Sequence, residues 1–137
     1  MSNFFDPTIR ALNQNLNLRQ ENQNIISGNI ANADTPGYKA KTSNFEQAMR
    51  DALDLTENVK LETSSPEHYG SHGPEAVQAD VYDDPNGVES LDGNTVDRGS
   101  EMAKLKENQL LYNSSIEALR KKIGMLEYGI TEGGGNK

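Results

Sequence analysis

The chain has no cysteine and no tryptophan, only three phenylalanines, and no apolar run near the roughly 18 residues that a membrane span needs. Without cysteine there are no disulfides and no thiol catalysis, zinc–thiolate sites are disfavoured, and either a reducing or an oxidising compartment is tolerable. The apolar share is 34%, against about 45–50% in an ordinary globule. A chain of 137 residues so composed cannot bury a large core alone; either parts stay unordered or partners complete the burial. The opening run Met1-Ser2-Asn3-Phe4-Phe5-Asp6-Pro7 has neither the basic nor the apolar region of a secretory leader. A cytoplasmic location is therefore expected unless a dedicated export system reads another signal.

Charge is unevenly spread. Between Thr42 and Thr95 stand twelve acidic and two basic residues, whereas the rest of the chain is slightly basic, within a net charge of −8. An acidic middle repels phosphate, so nucleic acid is not an expected partner. Chemistry is sparse as well. His68 and His72 are four apart with Glu67 and Glu75 nearby, but Gly70, Gly73 and Pro74 make that stretch a loop with no third ligand placed. Fitting Asp80–Asp92 to a calcium loop around Gly87 puts Tyr82 and Gly93 where acidic ligands belong. No phosphate-binding glycine loop and no nucleophile–base arrangement is present, so neither enzymatic activity nor a metal or other cofactor is expected.

What the chain does have is two long helical patterns. Asp6-Pro7 is a helix start, an N-cap followed by proline in the first turn. Ile9, Leu12, Leu16, Arg19, Gln23, Ile26, Ile30 and Ala33 then alternate three and four apart, the spacing of a coiled-coil seam, with Leu18 and Ile25 widening the stripe. Near the other end Leu105, Gln109, Tyr112, Ile116, Leu119, Ile123, Leu126 and Ile130 repeat the pattern, Met102 extends it backwards, Asp97 is an N-cap and Gly133-Gly134-Gly135 stops it. The simplest packing is an antiparallel pair. Between the helices, Phe45, Met49, Ala52 and Leu53 predict a short amphipathic helix over 44–55. Val77, Ala79 and Val81, the turn Asp84-Pro85-Asn86-Gly87, and Val88 to Leu91 predict at most a small β-hairpin. The fold class expected is mainly α: two long terminal helices in a coiled-coil pair, a short third helix and a loop-rich acidic middle. One domain then divides into helix 7–33, loop 34–43, helix 44–55, irregular segment 56–96 and helix 97–131.

The run Asn29-Ile30-Ala31-Asn32-Ala33-Asp34-Thr35-Pro36-Gly37-Tyr38-Lys39-Ala40 ends the first pattern with force. Thr35 is pushed toward extended geometry by Pro36, Pro36 brings no N–H, and Gly37 can take positive φ. Asn29 and Asn32 share a helix face, where they can cap or bridge to the returning loop. This wording resembles the N-terminal signature of bacterial flagellar axial proteins, the family of rod, hook and hook–filament junction subunits, in which a long helix ends in Asn-x-x-Asn-x-x-Thr-Pro-Gly-Tyr/Phe. Asp92-Gly93-Asn94-Thr95-Val96-Asp97, Glu107-Asn108-Gln109-Leu110-Leu111-Tyr112 and the short chain are similar to the proximal rod subunits within that family.

The resemblance implies a structural role: helical stacking around a central channel, contact with other rod subunits, with further copies and with inner-membrane-ring or export-gate adaptor proteins, and export without a cleaved signal by the flagellar type III apparatus. An export element of the form Phe-x-x-x-apolar fits Phe45 to Met49 and also Phe5 to Ile9. Asn29, Asn32, Thr35, Pro36, Gly37 and Tyr38 are then the candidate assembly loop. Leu12, Leu16, Ile26, Ile30, Leu105, Tyr112, Ile116, Leu119, Ile123 and Leu126 are the candidate packing residues. A sister proximal rod subunit and a cytoplasmic coiled-coil adaptor or secretion chaperone are the alternatives.

Half a dozen large side chains per helix, at about 1.5–3 kcal/mol each, fall short of ordering some sixty residues at about 1–2 kcal/mol each. Helicity of the isolated chain is therefore expected to rise with protein concentration, measured by circular dichroism across a dilution series; full, concentration-independent helicity would contradict this.

Overall fold

A computed structural model describes residues 7–57 and 78–133. In chain order these form helix α1 (Pro7–Ala31), strand β1 (Lys41–Ser43), helix α2 (Phe45–Glu57), strand β2 (Val81–Asp83) and helix α3 (Arg98–Gly133). At 1.5 Å per residue, the 25 residues of α1 span about 38 Å and the 36 of α3 about 54 Å. Among the described residues no helix is long and apolar enough to cross a membrane.

The two long helices run antiparallel. Three side-chain bridges give the register: Asn29 to Glu101 at 2.9 Å, the Asn108 amide to the Arg19 carbonyl at 2.9 Å, and Ser115 to Asn15 at 2.9 Å. Continued, this register brings Pro7 level with about Ile123, so α3 runs on past the described start of α1 by about ten residues, or ~15 Å. Ile26 is buried in the seam and Leu12, Leu16, Ile30, Leu105, Tyr112, Ile116 and Leu119 are half-buried. Ile123 and Leu126, on the same face of α3, are 47% and 40% exposed, because the described part of α1 has ended there. At the near end Glu101, not Met102, takes the seam position, with Met102 turned outward.

Both α2 and β1 also pack on α1, and among the described residues the α2 backbone makes no close approach to α3. α1 is thus the central element. This explains why Leu18, which in the sequence only widens the α1 stripe, is fully buried: α2 covers it with Ala48 and Ala52, flanked by Phe45, Met49 and Ala79. Arg19 lies over the Phe45 ring at 5.3 Å and donates to Asn15 at 3.0 Å. Burial holds the Arg19 guanidinium below its usual pKa, with Glu107 pulling it back up.

The expected hairpin forms differently. The turn at Asp84 is present, with the Gly87 N–H donating to the Asp84 carbonyl at 3.2 Å. Val88 and Leu91, however, do not return as a strand and are fully or nearly fully exposed. β2 instead pairs antiparallel with β1, Lys41 opposite Asp83, Thr42 opposite Tyr82 and Ser43 opposite Val81. The ladder is lengthened by Asp84 N–H to the Ala40 carbonyl at 2.7 Å and Asn44 N–H to the Asp80 carbonyl at 3.2 Å. A free two-stranded hairpin is marginal in water, whereas β1 is already fixed to α1 and offers a preformed edge. The Lys41–Asp83 ion pair crosses the same rung and raises the Lys41 pKa, chiefly through its hydrogen bond.

Leu18→Ala is expected to lower stability by about 2–4 kcal/mol, as a buried leucine truncated against a packed helix does. Leu110→Ala, at a 67% exposed position, should stay within about 0.5 kcal/mol. Urea denaturation of both variants checks the contrast.

Candidate functional site

The last turn of a helix leaves carbonyls without partners, and Pro36 forbids continuing α1 to satisfy them. The chain tightens instead through short turns: Ala33 N–H to the Ile30 carbonyl at 3.2 Å, Thr35 to Asn32 at 3.0 Å and Tyr38 to Thr35 at 3.2 Å. Gly37 takes φ +72°. The Asn32 side chain donates to the Gly28 carbonyl at 2.9 Å and accepts from the Thr35 hydroxyl at 3.2 Å. Thr35, Pro36 and Gly37 lie on the surface and Tyr38 is half-buried.

The turn that follows α1 is also held from sixty residues away. The Asn94 side-chain amide, 2% exposed, donates to the carbonyls of Asn32, Ala33 and Thr35 at 2.9, 3.0 and 2.8 Å. Its oxygen accepts from Val96 N–H at 2.7 Å, and its own N–H donates to Asp92 at 3.1 Å, so the Asp92–Val96 run is a string of Asx turns presenting one amide. The two loops are stitched further by Gly37 N–H to the Asp92 carbonyl at 2.9 Å, Thr95 N–H to the Tyr38 carbonyl at 3.1 Å and Ala40 N–H to the Thr95 hydroxyl at 2.8 Å. Gly93, at φ +79°, sits so close that an added Cβ would meet the Gly37 Cα at 3.4 Å. Lys39 bridges the rim, donating to the Gly93 carbonyl at 3.1 Å and pairing with Glu89 at 3.2 Å.

One turn back, Asn29 is 1% exposed. Its amide nitrogen donates to the Lys41 carbonyl at 2.7 Å and to Glu101 at 2.9 Å; its oxygen accepts from Lys41 N–H at 2.8 Å and from the Tyr38 hydroxyl at 3.4 Å. Glu101, 4% exposed, also accepts from Lys104 at 2.7 Å. Asp97 caps α3 through Gly99 and Ser100 N–H at 3.0 and 3.3 Å. The end of α1, the start of β1 and the start of α3 are thereby clasped together. The candidate loop residues Asn29, Asn32 and Tyr38 belong to this clasp by their side chains, Thr35 and Gly37 mainly by their backbone. Asn94, Thr95 and Glu101 complete it. Their sequence signal is the Asp-Gly-Asn turn and a carboxylate four residues ahead of Leu105 in the seam.

Phe45 and Met49 are half-buried against α1, Met49 receiving the Asn15 amide at 3.4 Å. Among the described residues no group of His, Cys, Asp and Glu could hold a metal; His68 and His72 lie outside them. The buried clasp side chains spend their hydrogen-bonding capacity on one another, so what the clasp delivers is geometry: the register of two helices and the direction in which the chain leaves them.

Fold and clasp define a structural helix-pair subunit. The model of the family described as "Flagella basal body rod protein" matches residues 9–39, which are α1 and its half of the clasp. The chain is 38% identical over 130 residues to the flagellar basal body rod protein FlgB of Escherichia coli, covering 88% of this chain and 91% of that one. To FlgB of Aeromonas hydrophila it is 38% identical, covering 81% and 83%, and to FlgB of Salmonella typhimurium 32% identical, covering 94% and 96%. The chain belongs to the FlgB family of flagellar basal body rod proteins.

Asn29→Asp sets a second carboxylate 2.9 Å from Glu101 and is expected to cost about 2–4 kcal/mol at pH 7. Two adjacent carboxylates hold a shared proton more readily folded than unfolded, so the loss is full at high pH and shrinks as pH falls toward 4–5, the carboxylate range. Urea midpoints of variant and parent at pH 7 and pH 5 test this; an equal deficit at both would contradict it.

Proposed function

We propose that the chain is a structural subunit of the proximal rod, stacking helically with other rod subunits and with further copies of itself to form the drive shaft of the flagellum. Torque passes through helix–helix contacts, and no bond is made or broken. The observation that carries this reading is the clasped antiparallel pair whose seam face continues, at Ile123 and Leu126, beyond the cover given by the described residues. A self-sufficient domain closes its apolar face, whereas a subunit built for stacking leaves part of it for neighbours.

In this reading the rod crosses the periplasm, the chain meets inner-membrane-ring or export-gate adaptor proteins at the base, and the type III apparatus delivers it without a cleaved signal. Phe45 and Met49 serve as the export element before folding and as packing against α1 afterwards. The clasp of Asn29, Thr35, Gly37, Tyr38 and Asn94 fixes the angle at which the outer segment departs from the helix pair, and so how that segment meets its neighbours.

Leu119→Asp places a carboxylate in the seam, where an unpaired charge is costly. Cells carrying it are expected to be non-motile, with the variant missing from purified basal bodies in which the parent chain is found. Normal swimming with that variant would overturn the reading, as would a parent chain that fractionates only with soluble cytoplasm.

A further inference from the structure

Helix α3 carries a second row of apolar and small side chains, on the side turned away from α1. Ala103, Leu110, Ser114, Ala118 and Met125 lie along it, Glu107 and Lys121 are its two charged members, and all are exposed. From Ala103 to Ser114 and again from Ser114 to Met125 the row advances by four, three and four residues. Such an eleven-residue repeat has about 3.67 residues per turn, close to the α-helix itself, so the row keeps to one face of a straight helix. At about 100° per residue that face lies roughly opposite the seam row of Glu101, Leu105, Asn108, Tyr112 and Leu119. Leu110 and Met125 are large side chains at 67% and 69% exposure. Among the described residues α1 is the only helix or strand whose backbone comes close to α3, so no described element covers them.

The row is complementary to its own reverse about Ser114. Laid against a second α3 running the other way, with Ser114 facing Ser114, Leu110 meets the second copy's Ala118, Met125 meets its Ala103, and Glu107 meets its Lys121. Symmetry makes each of these contacts occur twice. Large then meets small at both apolar positions, as interdigitating helices require, and each carboxylate meets an ammonium group. Laid in the same direction, Leu110 would crowd Leu110, Glu107 would face Glu107 and Lys121 would face Lys121, so the charges select the reversed arrangement. Both charges are available for it. Neither Glu107 nor Lys121 forms a salt bridge among the described residues, and Glu107 acts on Arg19 only through its field.

We propose that two copies of the chain pair through this row, α3 antiparallel to α3 about a two-fold axis at Ser114. The contact is isologous and closes on itself. From Ala103 to Met125 it is a strip about 33 Å long and one helix wide, small for a stable dimer, so the pair forms weakly and parts readily. It leaves Ile123 and Leu126, on the opposite side of α3, to other contacts. In a stack whose copies all point one way, no two α3 helices meet reversed about a two-fold axis. The pair therefore belongs to the chain before assembly and separates on entry to the stack. That role rests on the rod reading, whereas the pairing stands on α3 alone.

The test uses the purified full-length chain at low ionic strength, followed by sedimentation velocity from about 5 to 500 μM, the range of a weak pair. A reversible monomer–dimer equilibrium is expected. Lys121→Glu sets carboxylate against carboxylate in both symmetry-related contacts, and Glu107→Lys sets ammonium against ammonium. Each is expected to weaken the dimer at least about tenfold. An equimolar mixture of the two variants, in which every such contact is again of opposite charge, is expected to restore it. Because the chain has no cysteine, Ser114→Cys alone is expected to give a disulfide-linked dimer on mild oxidation. Leu110→Cys is expected to link to Ala118→Cys and not to itself, since two Leu110 positions stand about 12 Å apart along the axis. A monomer throughout the range, a dimer indifferent to both reversals, or Leu110→Cys linking to itself as readily as Ser114→Cys would overturn the proposal. Ser114→Cys dimers within isolated basal bodies would overturn the role before assembly. Absence of the parent chain from basal bodies would refute the rod reading and leave the pairing standing.

Discussion

The architecture depends on one carboxamide. Asn29 lies in the last full turn of α1, where it simultaneously returns both backbone hydrogen bonds of Lys41 and donates to Glu101 of α3. An asparagine side chain has the geometry of a peptide unit, so it can complete a strand edge as a neighbouring strand would. That holds β1 in place, and β1 then gives β2 an edge to pair with. The bond to Glu101 fixes how far α3 slides along α1. In a low-dielectric pocket these bonds are strong, and losing any one leaves a buried polar group unsatisfied. The helix pair therefore has a single register, which an apolar seam alone would not enforce.

Polar specification of this kind suits a chain with little to bury. Among the described residues the buried apolar side chains are Leu18 against two alanines, with Ile26 and Ala40 buried elsewhere. Leucine seams tolerate sliding by a heptad, whereas Asn29–Glu101 and Asn108–Arg19 can be satisfied together in only one alignment. The polar contacts supply uniqueness where the apolar contacts are few. For a rod subunit of the FlgB family this division is useful, because neighbouring subunits must meet a helix pair of one defined register.

Much of this was legible in the residues. The three-and-four spacing of Leu12, Leu16, Ile26 and Ile30, and of Leu105, Tyr112, Ile116 and Leu119, reports a helix because side-chain direction follows backbone period whatever the helix packs on. Thr35-Pro36-Gly37 reports a stop because proline and glycine act locally. Leu18 was harder to rank, since its burial is decided by α2 arriving from a separate part of the chain. The hairpin expected from Val77 to Leu91, of which Val77 lies outside the described residues, was replaced for the same reason: local turn chemistry at Asp84–Gly87 was right, but strand pairing is a competition, and β1 was the better edge. Asn94 was visible only as a turn residue, because nothing local says that its amide reaches the carbonyls of Asn32, Ala33 and Thr35.

The sequence by itself determined the elements: two long amphipathic helices, a break of fixed character between them and the acidic middle, and too few apolar residues for a self-contained core. These follow from near-neighbour sterics and periodicity, which need no knowledge of the distant chain. Only the tertiary structure decided which residues meet: that Asp92–Val96 folds onto Asn32–Ala40, that Glu101 faces Asn29, that α1 carries α2 and α3 on different sides, and that α3 runs past the described part of α1 with Ile123 and Leu126 exposed. Such contacts join positions about thirty to a hundred residues apart, and across the clasp the relevant energy lies in satisfying particular donors and acceptors. That pairing is set by the fold as a whole.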